Sequence, residues 1–254
     1  MAKIAIMNHK GGVAKTTTAL NLSAAIYRNS GNPIMIDLDP QSHLTSIHPE
    51  SPKIATSSIF DFYQNNRALN EICIEWLNVG KLIPSNKELI KVETSFGKGP
   101  AILNRLKIGL QDLEKLFDDS SIIIDCTPNL GVLTLSAIFA ADLVIIPISS
   151  DYLSIKGAKK IEQTLNALET ILKRRVERRY LLTRYDKRRQ MSSEVFDLAK
   201  TYFGKDVLEV VINENVDLAK SINQSKDIFC YNNKCQGAYN YNEFHQLLVQ
   251  QQFL

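Results

Sequence analysis

One stretch, Ile4-Ala5-Ile6-Met7-Asn8-His9-Lys10-Gly11-Gly12-Val13-Ala14-Lys15-Thr16-Thr17-Thr18, restricts the possible folds of this chain more than any other. An apolar, β-prone run leads into two glycines and a Lys-Thr pair, and Ala19 to Tyr27 follows with helical spacing. Strand, tight turn and helix start, in that order, make a cradle for phosphates. Gly11 and Gly12 let the backbone approach a polyphosphate with its N–H groups turned inward. The helix opening at Lys15 adds unpaired N–H groups and the positive end of its dipole. Lys15 can neutralise β/γ-phosphate charge, and the Thr16 hydroxyl can ligate Mg²⁺.

The strict P-loop pattern Gly-x4-Gly-Lys-Thr fails, because His9 and Ala14 stand where its glycines belong. The variant Lys-Gly-Gly-x-x-Lys-Thr-Thr fits, with an additional lysine, Lys10, ahead of the glycines. This resembles the deviant Walker A motif of the ParA/MinD family of ATPases. Lys10, Gly11, Gly12, Val13, Ala14, Lys15, Thr16 and Thr17 are its nucleotide-binding positions. Ala14 departs from the family's usual glycine, and its side chain calls for a negative φ.

Ile34-Met35-Ile36 is a second buried strand that runs into Asp37-Leu38-Asp39-Pro40-Gln41. In an open parallel sheet, ligands gather at the carboxyl ends of strands, so these acids should face Lys15. Asp-x-Asp-Pro-Gln again resembles the ParA side of the family, which implies that Asp39 positions the attacking water and lies near the metal. Asp37 is expected to support the metal shell or the loop. Ile122-Ile123-Ile124-Asp125 has the form of a Walker B strand, whose tip carboxylate, Asp125, holds Mg²⁺ through water. Cys126-Thr127-Pro128-Asn129-Leu130-Gly131 corresponds to the family's switch segment, with Gly131 as its pivot.

Further strands are read at residues 142–148, 181–186 and 207–212, with Leu82 to Ser85 as a strand leaving the sheet. Helices are read at residues 57–64, 100–117, 154–176, 191–203 and 237–251, and residues 87–99 as a loop. The alternation is that of a doubly wound, mostly parallel α/β sheet flanked by helices, in one P-loop ATPase domain over residues 1–254. The strand end at Leu181 to Asp186 stands where related ATPases hold the base, and the adenine is expected to be contacted mostly through backbone by this loop, with Arg184, and by the loop from Asn213 to Asp217.

The composition is that of an ordinary globular protein. The start at Met-Ala-Lys-Ile leaves no room for a signal peptide, and no apolar run approaches the roughly 20 residues that span a bilayer. A cytoplasmic location follows. The four cysteines lie far apart except Cys230 and Cys235, whose x4 spacing lacks a second ligand pair nearby, and they read as reduced thiols. The net charge of +3 hides an asymmetry: residues 173–189 carry nine Lys/Arg against two acids, leaving the rest of the chain net acidic. Lys173, Arg174, Arg175, Arg178, Arg179, Arg188 and Arg189 are therefore the candidate contacts to a DNA backbone. The bland alternative is a solvated helix end. Glu214 and Asp217 make the neighbouring loop acidic, where ParA-type proteins often carry basic residues.

The resemblance covers nearly the whole chain and is to the short ParA type without an N-terminal DNA-binding extension. It implies ATP and Mg²⁺ as cofactors and a homodimer sandwiching ATP, with Lys10 reaching its partner's phosphates as an arginine finger does. Such a charge is worth roughly 10³–10⁵-fold in rate. It further implies nonspecific DNA binding, nucleoid association and a ParB-like adaptor that stimulates hydrolysis. Two alternatives remain: positioning of a protein cargo, and a membrane-associated MinD-like ATPase. The latter needs a basic amphipathic C-terminal helix, and residues 242–254 hold no Lys or Arg. An iron–sulfur reductase sharing the loop would need paired axial cysteines that Cys126 alone does not supply.

Overall fold

A computed structural model describes residues 2–51, 57–95 and 99–254. Eight strands form one sheet: β1 (Lys3–Ile6), β2 (Asn32–Leu38), β3 (Ile74–Trp76), β4 (Gly80–Ile83), β5 (Ser120–Cys126), β6 (Leu143–Ser149), β7 (Glu177–Tyr185) and β8 (Val207–Asn213). Their order across the sheet is β3-β4-β2-β5-β1-β6-β7-β8, parallel throughout except for the antiparallel edge strand β3. Eleven helices are described: α1 (Lys15–Arg28), α2 (His43–Ile47), α3 (Ile59–Asn65), α4 (Ile90–Ser95), α5 (Pro100–Leu116), α6 (Val132–Ala140), α7 (Tyr152–Leu172), α8 (Gln190–Phe203), α9 (Val216–Asn223), α10 (Ile228–Asn232) and α11 (Gln236–Gln250).

The central strands are apolar on both faces because helices cover both. Ile4, Ile6, Ile123 and Ile145 pack with α1, α10 and α11 on one side. Ala5, Ile122, Ile124 and Ile146 pack with α3, α5, α6, α7 and α8 on the other. Each fully buried Val, Leu or Ile side chain contributes about 1.5–3 kcal/mol, which is why these strands read as continuous apolar runs.

Register decides what the sheet presents at its carboxyl edge. Ile6 pairs with Asp125 and Asp37 also pairs with Asp125, so three strand ends finish level with one another. The loop that leaves β1 toward α1 therefore opens beside the acids of β2 and β5.

Several boundaries differ from the sequence reading. Residues 87–99 are not a plain loop: a 3₁₀ turn at Lys87–Leu89 runs into α4, because Leu89 and Val92 are buried in the core. Leu82 and Ile83 do not leave the sheet but pair with Met35 and Ile36 of β2. The antiparallel β3–β4 hairpin was not foreseen. The long helix stops at Leu172, with Lys173 in the left-handed region at φ 52°, and Glu177 already begins β7.

Candidate functional site

The β1–α1 loop is built to leave its backbone donors free. Lys10 N–H donates to Asn8 Oδ1 at 3.0 Å, but the N–H groups from Gly11 to Thr17 find no protein acceptor among the described residues. Gly12 sits at φ 76°, a conformation that costs glycine nothing. Ala14 corrects the expectation of a negative φ: it adopts φ 65°, ψ 31° as the N-cap of α1. The left-handed region costs a non-glycine residue about 1–2 kcal/mol. The enclosing loop and helix hold it there.

Neighbouring strands anchor this loop. Asn8 Nδ2 donates to the Pro147 carbonyl at 2.7 Å, and Thr183 Oγ1 donates to the Val13 carbonyl at 3.1 Å. His9 Nδ1 lies 3.1 Å from the Pro128 carbonyl, tying the loop to the segment after β5. None of these three contacts was legible in the sequence, since each joins positions more than a hundred residues apart.

Lys15 is nearly buried, and its Nζ donates to the Lys10 carbonyl at 3.1 Å. Burial pushes its pKa down, against the pull of the Asp125 and Asp39 carboxylates. Asp125 is buried at the tip of β5. Burial first, then the charge of Asp37, pushes its carboxyl well above the usual range, while Thr16 and Lys15 pull the other way. Its Oδ1 has no hydrogen-bond partner. A buried, orphaned carboxylate oxygen beside a threonine hydroxyl is a fit for Mg²⁺, a hard cation that takes oxygen ligands. Among the described residues, no cluster of three or more His, Cys, Asp or Glu could hold a metal alone. Phosphate oxygens and water would complete such a shell.

The two acids after β2 divide their work. Asp37 is fully buried and accepts hydrogen bonds from Thr45 N–H at 2.8 Å, Thr45 Oγ1 at 2.6 Å and Asp39 N–H at 3.1 Å. It is the post on which the 39–45 loop is wound, and burial raises its pKa to about 6. Asp39 stays at the cavity wall, where its Oδ1 accepts from Gln41 N–H at 2.9 Å.

A cavity of about 520 Å³ runs from Gly12, Lys15 and Thr16 past Asp39 to Arg184, Asn213 and Leu218. Arg184, in the left-handed region at φ 52°, reaches Glu214 Oε2 at 3.1 Å and the Gly12 carbonyl at 3.4 Å. Every residue that the sequence assigned to nucleotide or metal belongs to this loop, this cavity or the adjoining strand tips.

The basic stretch is not brought together. Lys173, Arg174, Arg175, Arg178 and Arg179 lie at the amino end of β7, whereas Arg188 and Arg189 follow its carboxyl end. Most of the nine-residue strand, Tyr180–Tyr185, lies between the two groups, a span of about 20 Å at the usual rise. Arg178 is no surface contact: it is 2% exposed and paired with Glu162 at 3.0 Å and with Glu169. The cause is strand alternation, because a helix to residue 176 was expected where β7 turns Arg178 inward beside Tyr180. Arg179 donates to Gln251 at 2.9 Å and covers the Phe253 ring, and Arg175 pairs with Asp206. Arg188 and Arg189 are exposed and bracket Asp186 at 2.9 and 3.4 Å.

Known proteins agree with this geometry. A family profile described as an AAA domain matches residues 1–178. The chromosome partitioning protein ParA of Myxococcus xanthus is 32% identical over 243 residues, covering 94% of this chain and 84% of that protein. The sporulation initiation inhibitor protein Soj of Bacillus subtilis is 31% identical over 240 residues, covering 92% and 93%. Among solved structures, cobyrinic acid a,c-diamide synthase of Mycobacterium smegmatis with bound ADP and magnesium superposes with a TM-score of 0.84 at 28% identity, covering 99% of this chain and 96% of that one.

Proposed function

This chain belongs to the ParA/Soj family of partition ATPases, and from that membership we propose that it is an ATP-driven switch that segregates DNA. The observation that carries the reading is the convergence of free loop N–H groups, Lys15, Thr16 and Asp39 on one cavity, with the orphaned carboxylate of Asp125 buried beside Thr16. ATP lies along that cavity with its phosphates on the loop and its base near Arg184 and Asn213. Thr16, backed by Asp39 and Asp125, would hold magnesium, which when bound would supply positive charge to offset the negative charge developing on the phosphates.

Residues 1–254 work as one ATPase unit. Two copies close on ATP, Lys10 of each meets the other's phosphates, and Asp39 positions the attacking water. The ATP dimer holds nonspecific DNA on the nucleoid. A ParB-like adaptor bound to the cargo stimulates an otherwise weak Mg²⁺-dependent hydrolysis and releases the dimer. Arg188, Arg189 and Lys187, exposed at the nucleotide end of β7, are the better-placed DNA contacts. No described helix is long and apolar enough to cross a membrane.

One observation favours a second reading. The divided basic stretch offers a smaller cationic face than the sequence suggested, so the same switch could position a protein cargo. Binding to a random-sequence duplex across a salt series, with ATP, ADP or no nucleotide, separates the two. DNA segregation requires ATP-dependent binding that weakens with salt at a log–log slope of about −0.9 per phosphate contacted. A protein that dimerises with ATP yet binds no DNA in any state leaves only the protein-cargo reading.

A further inference from the structure

Asn213 ends β8 and lines the same cavity as the glycine loop, on the path proposed above for the base of the nucleotide. Its backbone N–H and its Nδ2 both donate to one atom, Asn240 Oδ1, at 3.1 and 2.8 Å. Asn240 lies on α11 and is 4% exposed. Its Nδ2 in turn donates to Glu243 Oε2 at 3.3 Å, one helical turn further on.

The chemistry of these groups permits one orientation of each amide. A backbone N–H can only donate, so the Asn240 atom it meets must be the oxygen. The Glu243 carboxylate can only accept, which places the Asn240 NH₂ on its side. With Asn240 fixed, Asn213 must turn its NH₂ to Asn240, because the reverse setting would press two amide oxygens together at 2.8 Å. The Asn213 Oδ1 is left as the free atom, and no protein donor engages it among the described residues.

We propose that Asn240, held by Glu243, is a positioning residue that sets nucleobase selectivity by fixing Asn213 as a hydrogen-bond acceptor toward the base. The proposal rests on the ATP-binding reading above and extends it to how the base is chosen. An acceptor at that point matches the exocyclic amine at C6 of adenine. It opposes the C6 carbonyl of guanine, which would leave two acceptors facing each other. A site built around one polar partner rejects the analogue lacking it, because the group left behind is unpaired. The expected preference for ATP over GTP is on the order of 10- to 100-fold.

The test measures the affinities of Mg-ATP and Mg-GTP, together with kcat for ATP, in the full-length protein and its variants. Asn240→Ala frees the Asn213 amide to turn, so the ATP/GTP affinity ratio should fall toward one while kcat at saturating ATP changes less than about twofold. Asn240→Asp combined with Glu243→Gln keeps an acceptor facing Asn213 and restores a bond between positions 240 and 243, because the Gln NH₂ can donate to the Asp carboxylate, so it should preserve the ratio. A ratio unchanged in Asn240→Ala, or lost equally in that double variant, would overturn the proposal in favour of simple packing. Should Asn240→Ala not fold, Glu243→Ala removes only the outer anchor; a reduced ratio supports the proposal and an unchanged one overturns it. Wild-type protein that binds ATP and GTP equally overturns the selector alone. Binding of neither nucleotide overturns the ATP-binding reading as well.

Discussion

Lys10 Nζ lies 2.6 Å from Asp151 Oδ1, so the lysine ahead of the glycines is held by its own chain. Asp151 is also the N-cap of α7, where it accepts from Ser154 N–H at 3.0 Å, and Ser154 Oγ lies 3.3 Å from the same ammonium. For Lys10 to reach a partner's phosphates it must leave this carboxylate, and their partial burial leaves the attraction only partly screened by solvent. Asp151→Asn keeps the cap and removes the charge. The expected result is a larger ATP-bound dimer fraction at a given protein concentration, read by light scattering. An unchanged fraction would mean that the tie does not restrain Lys10.

The same pair makes a pH prediction. Partial burial pushes the Asp151 carboxyl up, but hydrogen bonds from Lys10, Ser149 and Ser154 outweigh it and hold the pKa at about 2, below the usual 3.8. A depressed carboxylate stabilises the fold above its unfolded pKa, and that contribution is lost as pH falls through the folded value. The difference in Tm between wild type and Asp151→Asn should therefore stay constant from pH 5 to 8 and shrink between about pH 4 and 2. A difference that varies across the neutral range would assign the effect to another group.

Lys15 and Asp39 should fail in different ways. Lys15→Ala removes the charge at the centre of the loop and should abolish ATP binding by calorimetry. Asp39→Ala leaves the loop intact, so it should bind ATP and accumulate as a stable dimer with little turnover. Wild-type turnover in Asp39→Ala would remove its role in positioning water.

Glu93 couples the 87–95 segment to the start of α6. Its carboxylate accepts from Val132 N–H at 2.8 Å and Leu133 N–H at 3.1 Å, and a Cβ at Gly131 would collide with it. Glu93→Ala should cost about 0.5–2 kcal/mol in denaturant unfolding, the usual loss for a helix N-cap. Gly131→Ala should also destabilise, by displacing the carboxylate. Stability unchanged in both variants would show that the contact is incidental.

The basic residues should separate by position. Arg178→Ala leaves Glu162 and Glu169 without their shared partner and should destabilise the fold by about 3 kcal/mol, the low end for a broken buried pair because both carboxylates are partly exposed. Arg188→Glu with Arg189→Glu should leave stability within about 0.5 kcal/mol and weaken DNA binding. The reverse pattern would relocate the DNA face to the amino end of β7.

The phosphate loop, the Asp-x-Asp-Pro-Gln strand end and the strand before Asp125 were legible because each is a local pattern: an apolar run, then polar or glycine residues at fixed spacing. Ala14 was misjudged because the glycine rule describes intrinsic cost, and the surrounding loop overrides it. Arg178 was misplaced for a related reason. A boundary read a few residues late turned an inward strand position into an exposed helix end. Residues 87–99 carried too little periodicity to show α4, whose place depends on burial of Leu89 and Val92.

By itself, the sequence determined that this chain builds a parallel sheet with a phosphate loop at its carboxyl edge, since strand runs, glycines and loop lysines act through neighbours along the chain. The tertiary structure alone decided that Asp151 holds Lys10, that Asn240 orients Asn213, and that β7 sends its arginines to opposite ends. Those relations join residues far apart in sequence or depend on strand alternation, and only the register of the sheet and the packing of its helices bring them into being.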